Sequence, residues 1–233
     1  MGPRQLRTAL PLMMRLIHNL DFIYNCDYDF TDRFGQDQSD FSGEGTAYLV
    51  SRVPGRPDLP AQNRVWETNF IASVSDFQLK AWKERGAGGS NLLFELANSS
   101  MCGHISEFPV GTYKKAHRHG PGAHVSIVSG TGFSLMWRDE EPICRYDWTA
   151  GSVIVPGDRW FHQHFNTGET AARYLALRWA SQKYPVFRQF AVSKPTTEGG
   201  DQIEYRDEDP KVREMFEADL AKAGMSSRMS YKD

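Results

Sequence analysis

The chain has 233 residues, of which 40% are hydrophobic and 24% charged, and that length and composition suit one principal domain with a sizeable core. Its 27 Lys and Arg residues are balanced by 29 Asp and Glu residues, which gives a formal charge of −2. This balance excludes the basic excess typical of nucleic-acid binding, so we expect a small-molecule substrate and no nucleic acid.

The cysteines and the N-terminus predict a cytoplasmic protein without membrane contact. Cys26, Cys102 and Cys144 are odd in number and lack CxxC spacing, which disfavours a disulfide framework or a thiolate zinc site. Arg15 and His18 interrupt the apolar N-terminal stretch, and no small-residue cleavage site follows it. No run of about 18 apolar residues is present, so the sequence predicts no membrane span.

The first part of the chain predicts an arm that precedes the main domain. Residues 1–63 end in "RVPGRPDLPAQN", whose prolines forbid a regular helix and indicate an exposed connector. Next, "RVWETNFIASV" (64–74) predicts a strand and "SDFQLKAWKERG" (75–86) a short helix. Ser75 and Gln78 have the spacing of a capping box in that helix, and Gly86 is placed to end it.

Between about 91 and 180 the pattern changes to short strands. Turn-forming Gly, Pro and Asn residues separate apolar or alternating runs. The runs include "NLLFELA", "CGHISEF", "HVSIVSG", "GFSLMWR", "GSVIVPG" and "ARYLALRWA". This pattern is typical of an antiparallel sandwich or barrel, and we assign residues 64–195 to it.

The C-terminal segment, 196–233, predicts a helical tail. Within "EDPKVREMFEADLAKAG", Asp209 is the expected N-cap, Pro210 the first helical residue and Gly224 the terminator. One face of this amphipathic helix is apolar, and it comprises Val212, Met215, Phe216 and Leu220. We expect this face to pack against the barrel or a second subunit, and we predict a homodimer or higher homo-oligomer.

Six of the seven histidines lie between residues 104 and 164. Residues two apart on a strand share a face, so His117 and His119 can point at one site, and so can His162 and His164. Neutral imidazole binds divalent metals, and a cluster without cysteines favours a nitrogen-and-oxygen site. We interpret His104, which is supported by proximity alone, as an ordinary structural histidine.

Two longer patterns resemble the motifs of the cupin family. The first cupin motif is G(X)5HXH(X)3-4E(X)6G, and Gly111, His117, His119 and His124 reproduce its spacing with His124 in place of the glutamate. The second is G(X)5PXG(X)2H(X)3N, and the interval from Gly151 to His162 and then Asn166 matches it, although Pro156 and Gly157 are adjacent. The resemblance covers residues 111–166 and implies an all-β fold, a single antiparallel β-barrel of jelly-roll type.

The resemblance also implies a metal site. His117, His119 and His162 would be ligands, and His124 would occupy the carboxylate's place. Four neutral imidazoles would leave a divalent site with a charge near +2, where a glutamate would leave it near +1. Alternatively, His124 stands off and the site has three histidines with open coordination positions.

Cupins have many activities, and fold alone does not decide among them. We expect a metal-dependent enzyme of dioxygenase type, with Fe(II) favoured over Mn, Ni or Zn, that acts on a small organic acid, phenol or diketone. A non-catalytic sensor cupin, a metal-dependent lyase or isomerase, and a structural cupin with a vestigial site are the alternatives. The sensor is disfavoured because the first 60 residues show no helix-turn-helix pattern.

Several side chains are candidates for the pocket around the metal. Trp137, Trp160 and Phe161 could pack on an apolar substrate, while Arg173 or Arg178 could hold a carboxylate. Strand alternation allows only one of these arginines to face inward. The set of Arg173, Leu175 and Leu177 looks like the buried face, so an inward Arg178 would be there for chemistry. We therefore assign catalytic roles to Arg178 and to His164, an acid/base candidate on the face of His162.

Overall fold

The computed structural model describes residues 45–50, 62–68, 71, 73–96, 101–120, 122–179 and 194–231. Over these residues the protein is all-β with one α-helix, α1 (Pro210–Lys222). The strands are β1 (Gly45–Val50), β2 (Gln62–Thr68), β3 (Lys80–Ala81), β4 (Ser90–Leu96), β5 (Met101–Phe108), β6 (His124–Ser129), β7 (Thr131–Trp137), β8 (Cys144–Thr149), β9 (Val153–Ile154), β10 (Phe161–Asn166) and β11 (Ala172–Trp179). The all-β fold class predicted from the sequence is confirmed.

The strands form two sheets. The larger has the order β1-β2-β4-β5-β11-β6-β9 with β3 paired to β4, and the smaller has the order β10-β7-β8. All described pairings are antiparallel except that between β2 and β4. Among the described residues no strand belongs to both sheets, so hydrogen bonds do not close the predicted barrel.

Side chains from both sheets meet in one core. The larger sheet contributes Phe108, Val125 and Tyr174, and the smaller contributes Met136 and Trp148. Because directly opposed residues in a sheet project to the same side, the register extends this inner face to further positions. Tyr174 lies opposite Ser106 and Ile127, Ala176 lies opposite His104 and Val125, and Arg178 lies opposite Cys102.

A second apolar layer lies on the outer face of the smaller sheet, where α1 packs. We call it the outer layer, and its buried members are Tyr113, Phe133, Leu135, Phe165, Tyr205, Val212, Phe216 and Leu220. The sequence prediction for this helix is confirmed: Asp209 caps it through Lys211 N–H at 3.0 Å, and Gly224 follows its end with a φ of +69°. Since α1 covers its own sheet, the homodimer stays a prediction.

The helix predicted for residues 75–86 is wrong. Lys80 and Ala81 pair with Asn91 and Ser90 as strand β3, and only Lys83–Arg85 forms a 3₁₀ turn. The predicted capping box is also absent, because the Ser73 hydroxyl accepts the hydrogen bond from Asp76 N–H instead. Pairing along the edge of β4 outweighs the weak helical preference of this short segment. Gly86 does end the turn, with a φ of +72°.

Other sequence predictions differ in extent. The strand predicted for 64–74 is observed as Gln62–Thr68, and the strand predicted around His162 and His164 is observed as Phe161–Asn166. The sequence analysis did not assign the strands Gly45–Val50 and Cys144–Thr149. Strand β1 lies within the predicted arm, yet it pairs with β2 in the larger sheet. Most of the proline-rich connector, 51–61, lies outside the described residues. Of the helices the structure describes, none is long and apolar enough to span a lipid bilayer.

Candidate metal centre

Three of the predicted ligands meet inside the fold. One ring nitrogen from each of His117, His119 and His162 lies within 4.8 Å of the others, so a single divalent metal ion can contact all three. The ring centroids of His117 and His162 are 4.2 Å apart, and those of His119 and His162 are 4.9 Å apart. All three residues are buried, at 8%, 9% and 3% exposure respectively.

Backbone hydrogen bonds hold the two motifs together at this point. His117 N–H donates to His162 O at 3.1 Å, and His162 N–H donates back to His117 O at 2.9 Å. His119 is fixed in turn by its carbonyl, which accepts from Arg159 N–H at 3.1 Å. The pairing places ligands that are more than 40 positions apart in the sequence on one side of a short antiparallel bridge.

The ring orientations suit metal binding. Nδ1 of His162 lies 3.1 Å from Trp160 O, and Nδ1 of His117 lies 3.4 Å from Lys115 O. A proton on Nδ1 directed at a carbonyl leaves the Nε2 lone pair for a metal. Burial lowers the pKa of His162 to about 4 and that of His117 well below its ordinary value, so both rings are neutral at neutral pH, as ligands must be. The donor set therefore fits a divalent metal.

His124 is not brought to this group. It is exposed at the start of β6 and lies opposite Leu177, which is 39% exposed on the outer side of the larger sheet. Its neighbour Val125, only 3% exposed, takes the inward position. A ligand site built from the described residues thus has three histidines.

Arg178 faces inward and Arg173 outward. Arg178 follows buried Tyr174 and Ala176 on the inner face of β11, whereas Arg173 shares the outer face with Leu177. The sequence-based assignment of the set containing Arg173 to the buried face is therefore wrong. Arg173 is buried for a different reason, because it pairs with Glu107 at 3.0 Å and donates to the carbonyl oxygens of Val74 and Phe77.

His164 lies beside the triad, with its ring centroid 5.8 Å from that of His162. Its Nδ1 is 2.7 Å from the hydroxyl of Ser134, which also accepts a hydrogen bond from the indole N–H of Trp148 at 3.0 Å. Burial and the neighbouring His162, Lys114 and Arg85 lower the pKa of His164 well below its ordinary value. A neutral ring held through Nδ1 leaves Nε2 available for proton transfer.

The aromatic candidates do not all line the site. Trp137 and Phe161 stack at 5.6 Å and line a separate cleft of about 560 Å³ on the outer side of β10. Phe161 is on the opposite face of β10 from His162, so strand alternation excludes it from the interior. Trp160 is partly buried against the inner core.

Three residues of the interior were missed by sequence reasoning. Lys114 is buried beside Tyr174, and Arg85 reaches inward from the 3₁₀ turn to Gln202. Both are basic residues of irregular segments, where the sequence has no periodicity to indicate an inward direction. Tyr174 was seen only as the alternate face of β11. We use "interior site" for the histidine triad together with His104, His164, Lys114, Tyr174 and Arg178.

The segment 194–207 braces the ligand segment from the other side. Ile203 N–H donates to Ala116 O at 2.9 Å, and Arg118 N–H donates to Asp201 O at 3.0 Å. The Asp201 carboxylate binds Arg118 and Arg159, each at 2.9 Å. Arg118 lies between the two histidines of the HxH pair, so this ion-pair cluster fixes their backbone.

The antiparallel β fold and the three histidines at the positions of the two motifs resemble those of the cupins. No protein-family model matches the sequence, and a search of curated proteins found no significant match. Among solved structures, oxalate decarboxylase of Bacillus subtilis, with Mn(II) centres, is similar at 14% identity and a TM-score of 0.39, over 43% of this chain and 28% of that one. CapF in complex with 3-isopropenyl-tropolone is similar at 18% identity and a TM-score of 0.37, over 44% of this chain and 30% of that one.

Proposed function

We propose that the protein is a metal-dependent oxidoreductase of dioxygenase type that acts on a small organic acid, phenol or diketone. The observation that carries the proposal is the set of three buried histidines, to which the described part of the chain adds no carboxylate ligand. Three protein ligands leave coordination positions open, as in non-haem Fe(II) oxygenases, and we favour Fe(II) over Mn, Ni or Zn. When bound, Fe(II) would supply the redox chemistry that activates dioxygen and binds substrate oxygens.

The chain's own residues supply the rest of the chemistry. His117, His119 and His162 would hold the metal through ring nitrogens that carry no negative charge, so an ion of charge +2 would keep its full attraction for an anionic substrate group. His164, whose Nδ1 contacts the Ser134 hydroxyl, would accept or return a proton at Nε2 beside the metal ligands. The inner apolar face, with Phe108, Val125 and Ile127, keeps bulk water from the reaction.

The test begins with elemental analysis of protein purified without an affinity tag. Oxygen uptake is then measured with iron restored, against catechols, hydroxybenzoates and diketones. We expect substrate-dependent uptake that His162→Ala abolishes and that His164→Gln lowers at unchanged metal content. Ligand binding without turnover would favour the sensor cupin, and turnover without oxygen uptake would favour a lyase or isomerase.

The proposal includes a homodimer or higher homo-oligomer. Apolar residues on the outer side of the structure support it, since Val153 is 60% exposed and Val155 is 53% exposed. Light scattering at micromolar concentration should give a mass of at least two chains, and a monomeric mass would contradict this part of the proposal.

A further inference from the structure

Lys114 is a buried cation without a carboxylate partner. It is 2% exposed, and its ammonium group donates to the hydroxyls of Ser106 at 2.5 Å and Tyr174 at 3.3 Å. The next residue, Lys115, forms an ion pair with Glu204 at 2.6 Å. Among the described carboxylates none pairs with Lys114. Lys115 therefore has the opposite charge that normally compensates a buried ammonium group, and Lys114 does not.

The two arginines of β11, Arg178 and Arg173, differ in the same way, since one lacks the partners that the other has. Its Nε is buried and has no hydrogen-bond partner among the described residues. Arg173, on the outer face of the same strand, has Glu107 and two backbone carbonyls as partners. A guanidinium N–H left without an acceptor in a buried position costs free energy that an anionic ligand would recover.

Both cations act on the same part of the interior site. His104 lies across the sheet from Ala176, and its ring meets that of Tyr174 edge-on at 5.8 Å. Burial lowers the pKa of His104 well below its ordinary value, and the charges of Arg178 and Lys114 lower it further. His104 therefore stays neutral and adds no competing positive charge to this part of the site.

The surroundings favour an organic anion over an inorganic one. Phe108 and Tyr174 lie under the Lys114 ammonium at 5.3 Å and 4.9 Å from their ring centroids, and Val125 and Ile127 continue the apolar wall. An apolar wall suits the carbon body of a ligand, while an ammonium and a guanidinium suit its charged end.

We propose that the interior site binds an organic carboxylate, with Lys114 and Arg178 as its counter-ions beside the histidine triad. The inference rests on the proposed metal site, and it selects organic acids from the three substrate classes considered above. The metal would add two positive charges to the same volume, which increases the preference for an anion over a neutral phenol or diketone.

The test is a binding measurement on protein loaded with Zn(II), which cannot support redox turnover. Benzoate and acetate are titrated by calorimetry and compared with their neutral isosteres benzamide and acetamide, with inorganic phosphate as a further arm. We expect each carboxylate to bind at least tenfold more tightly than its amide and than phosphate. Equal binding of carboxylates and amides would overturn the proposal, as would a preference for phosphate.

Matched variants locate the binding. Lys114→Met and Arg178→Gln should each weaken benzoate binding at least tenfold, Lys114→Arg should restore part of it, and Arg173→Gln, on the outer face, should leave it unchanged. Lys114→Met should also raise the melting temperature, because it removes an uncompensated buried charge. Benzoate binding that is unaffected in both interior variants would overturn the proposal. If a variant does not fold, the carboxylate and amide titrations of the unmodified protein decide it.

The two proposals fail in different ways. Carboxylate binding without oxygen uptake under any condition would contradict the proposed oxidoreductase activity and support the carboxylate site. Oxygen uptake with phenols or diketones, by a protein that binds carboxylates and amides equally, would support the proposed oxidoreductase activity and contradict the carboxylate site.

Discussion

The interior site and the outer layer share strand β10 but have opposite chemistry. His162 and His164 project from one face of β10 into the interior site, and Phe165 projects from the other into the outer layer beneath α1. Every residue of this strand is buried. Burial alone therefore does not distinguish a side chain that packs from one that takes part in chemistry. The polar or apolar character of the neighbouring side chains does distinguish them.

The difference has an energetic side. In the outer layer Tyr113 stacks on Phe165 at 4.7 Å, and Phe216 meets Tyr113 edge-on at 4.9 Å. Each such side chain contributes about 1.5–3 kcal/mol by its burial. In the interior site burial lowers the pKa of Lys114 and of His117, so the protonated forms of these side chains oppose folding. The outer layer thus stabilises the fold against this cost.

The largest effect on stability is expected at Phe216, which is fully buried in the outer layer. Phe216→Ala should lower the free energy of unfolding by about 3–5 kcal/mol, since it removes a large side chain and leaves a cavity. Urea unfolding measures this loss, and Phe216→Leu should lose much less. The folded fraction should keep its metal, and a loss below about 1 kcal/mol would show that the outer layer is not the main support.

The opposite pattern, loss of metal with little loss of stability, is expected at the histidine triad. His162→Ala should lose most of the bound metal, because one of three ligands is removed, while the metal-free protein unfolds at nearly the same urea concentration as the unmodified metal-free protein. Elemental analysis and urea unfolding are the measurements, and His117→Ala should behave alike. His104→Ala, inside the same site but outside the triad, is the control that should retain metal. Full occupancy in both ligand variants would reject the metal centre.

A smaller, pH-dependent effect is expected at Asp201, which binds Arg118 and Arg159 next to the HxH pair. Burial raises the pKa of Asp201, but Arg159 and Arg118 outweigh it and hold the pKa below the ordinary value of 3.8. The ionised form therefore stabilises the fold above about pH 4, and this contribution is lost as the pH falls through the folded-state pKa. Asp201→Asn should cost about 1.5–3 kcal/mol at pH 7.

Urea unfolding at several pH values tests this dependence. The difference between Asp201→Asn and the unmodified protein should be constant from pH 7 to pH 5 and should narrow towards pH 3, where the carboxyl becomes protonated. A difference that does not change with pH would show that the ion pairs with Arg118 and Arg159 are not its source.

The smallest effect is expected at His124. Since this side chain is exposed on the outer side of β6, His124→Ala and His124→Glu should both leave metal content and affinity unchanged. The pair is informative because a ligand would lose metal in the alanine variant and keep it in the glutamate variant. That pattern would place His124 in the coordination sphere and contradict the three-histidine site.

The sequence predicted those features that depend on local periodicity. The HxH pair and His162 were found because motif spacing places their side chains, and α1 was found because Asp209, Pro210 and Gly224 mark its ends. The predicted orientation of β11 failed because its outer face carries two leucines and its inner face carries an arginine. Hydrophobicity indicates the buried face only where the interior is apolar, and here it is not.

The features that could not be predicted depend on contacts distant in sequence. Lys114 is interior because the segment after β5 pairs with β10, as in the hydrogen bond from Lys114 N–H to His164 O at 3.1 Å. Likewise, part of the segment predicted as a helix, 75–86, forms strand β3 because its backbone pairs with β4. No local pattern carries this information.

The bracing of the HxH pair by residues 201–203 sets an order for assembly during synthesis. Ala116 and Arg118 obtain their backbone partners only from Ile203 and Asp201, which are translated much later. At the usual rate of about 5–20 residues per second, the ribosome needs roughly 4–16 s to pass from His119 to Asp201. The segment with the HxH pair thus emerges well before its brace, and the hydrogen bonds of Ala116 and Arg118 can form only after residues 201–203 have left the exit tunnel.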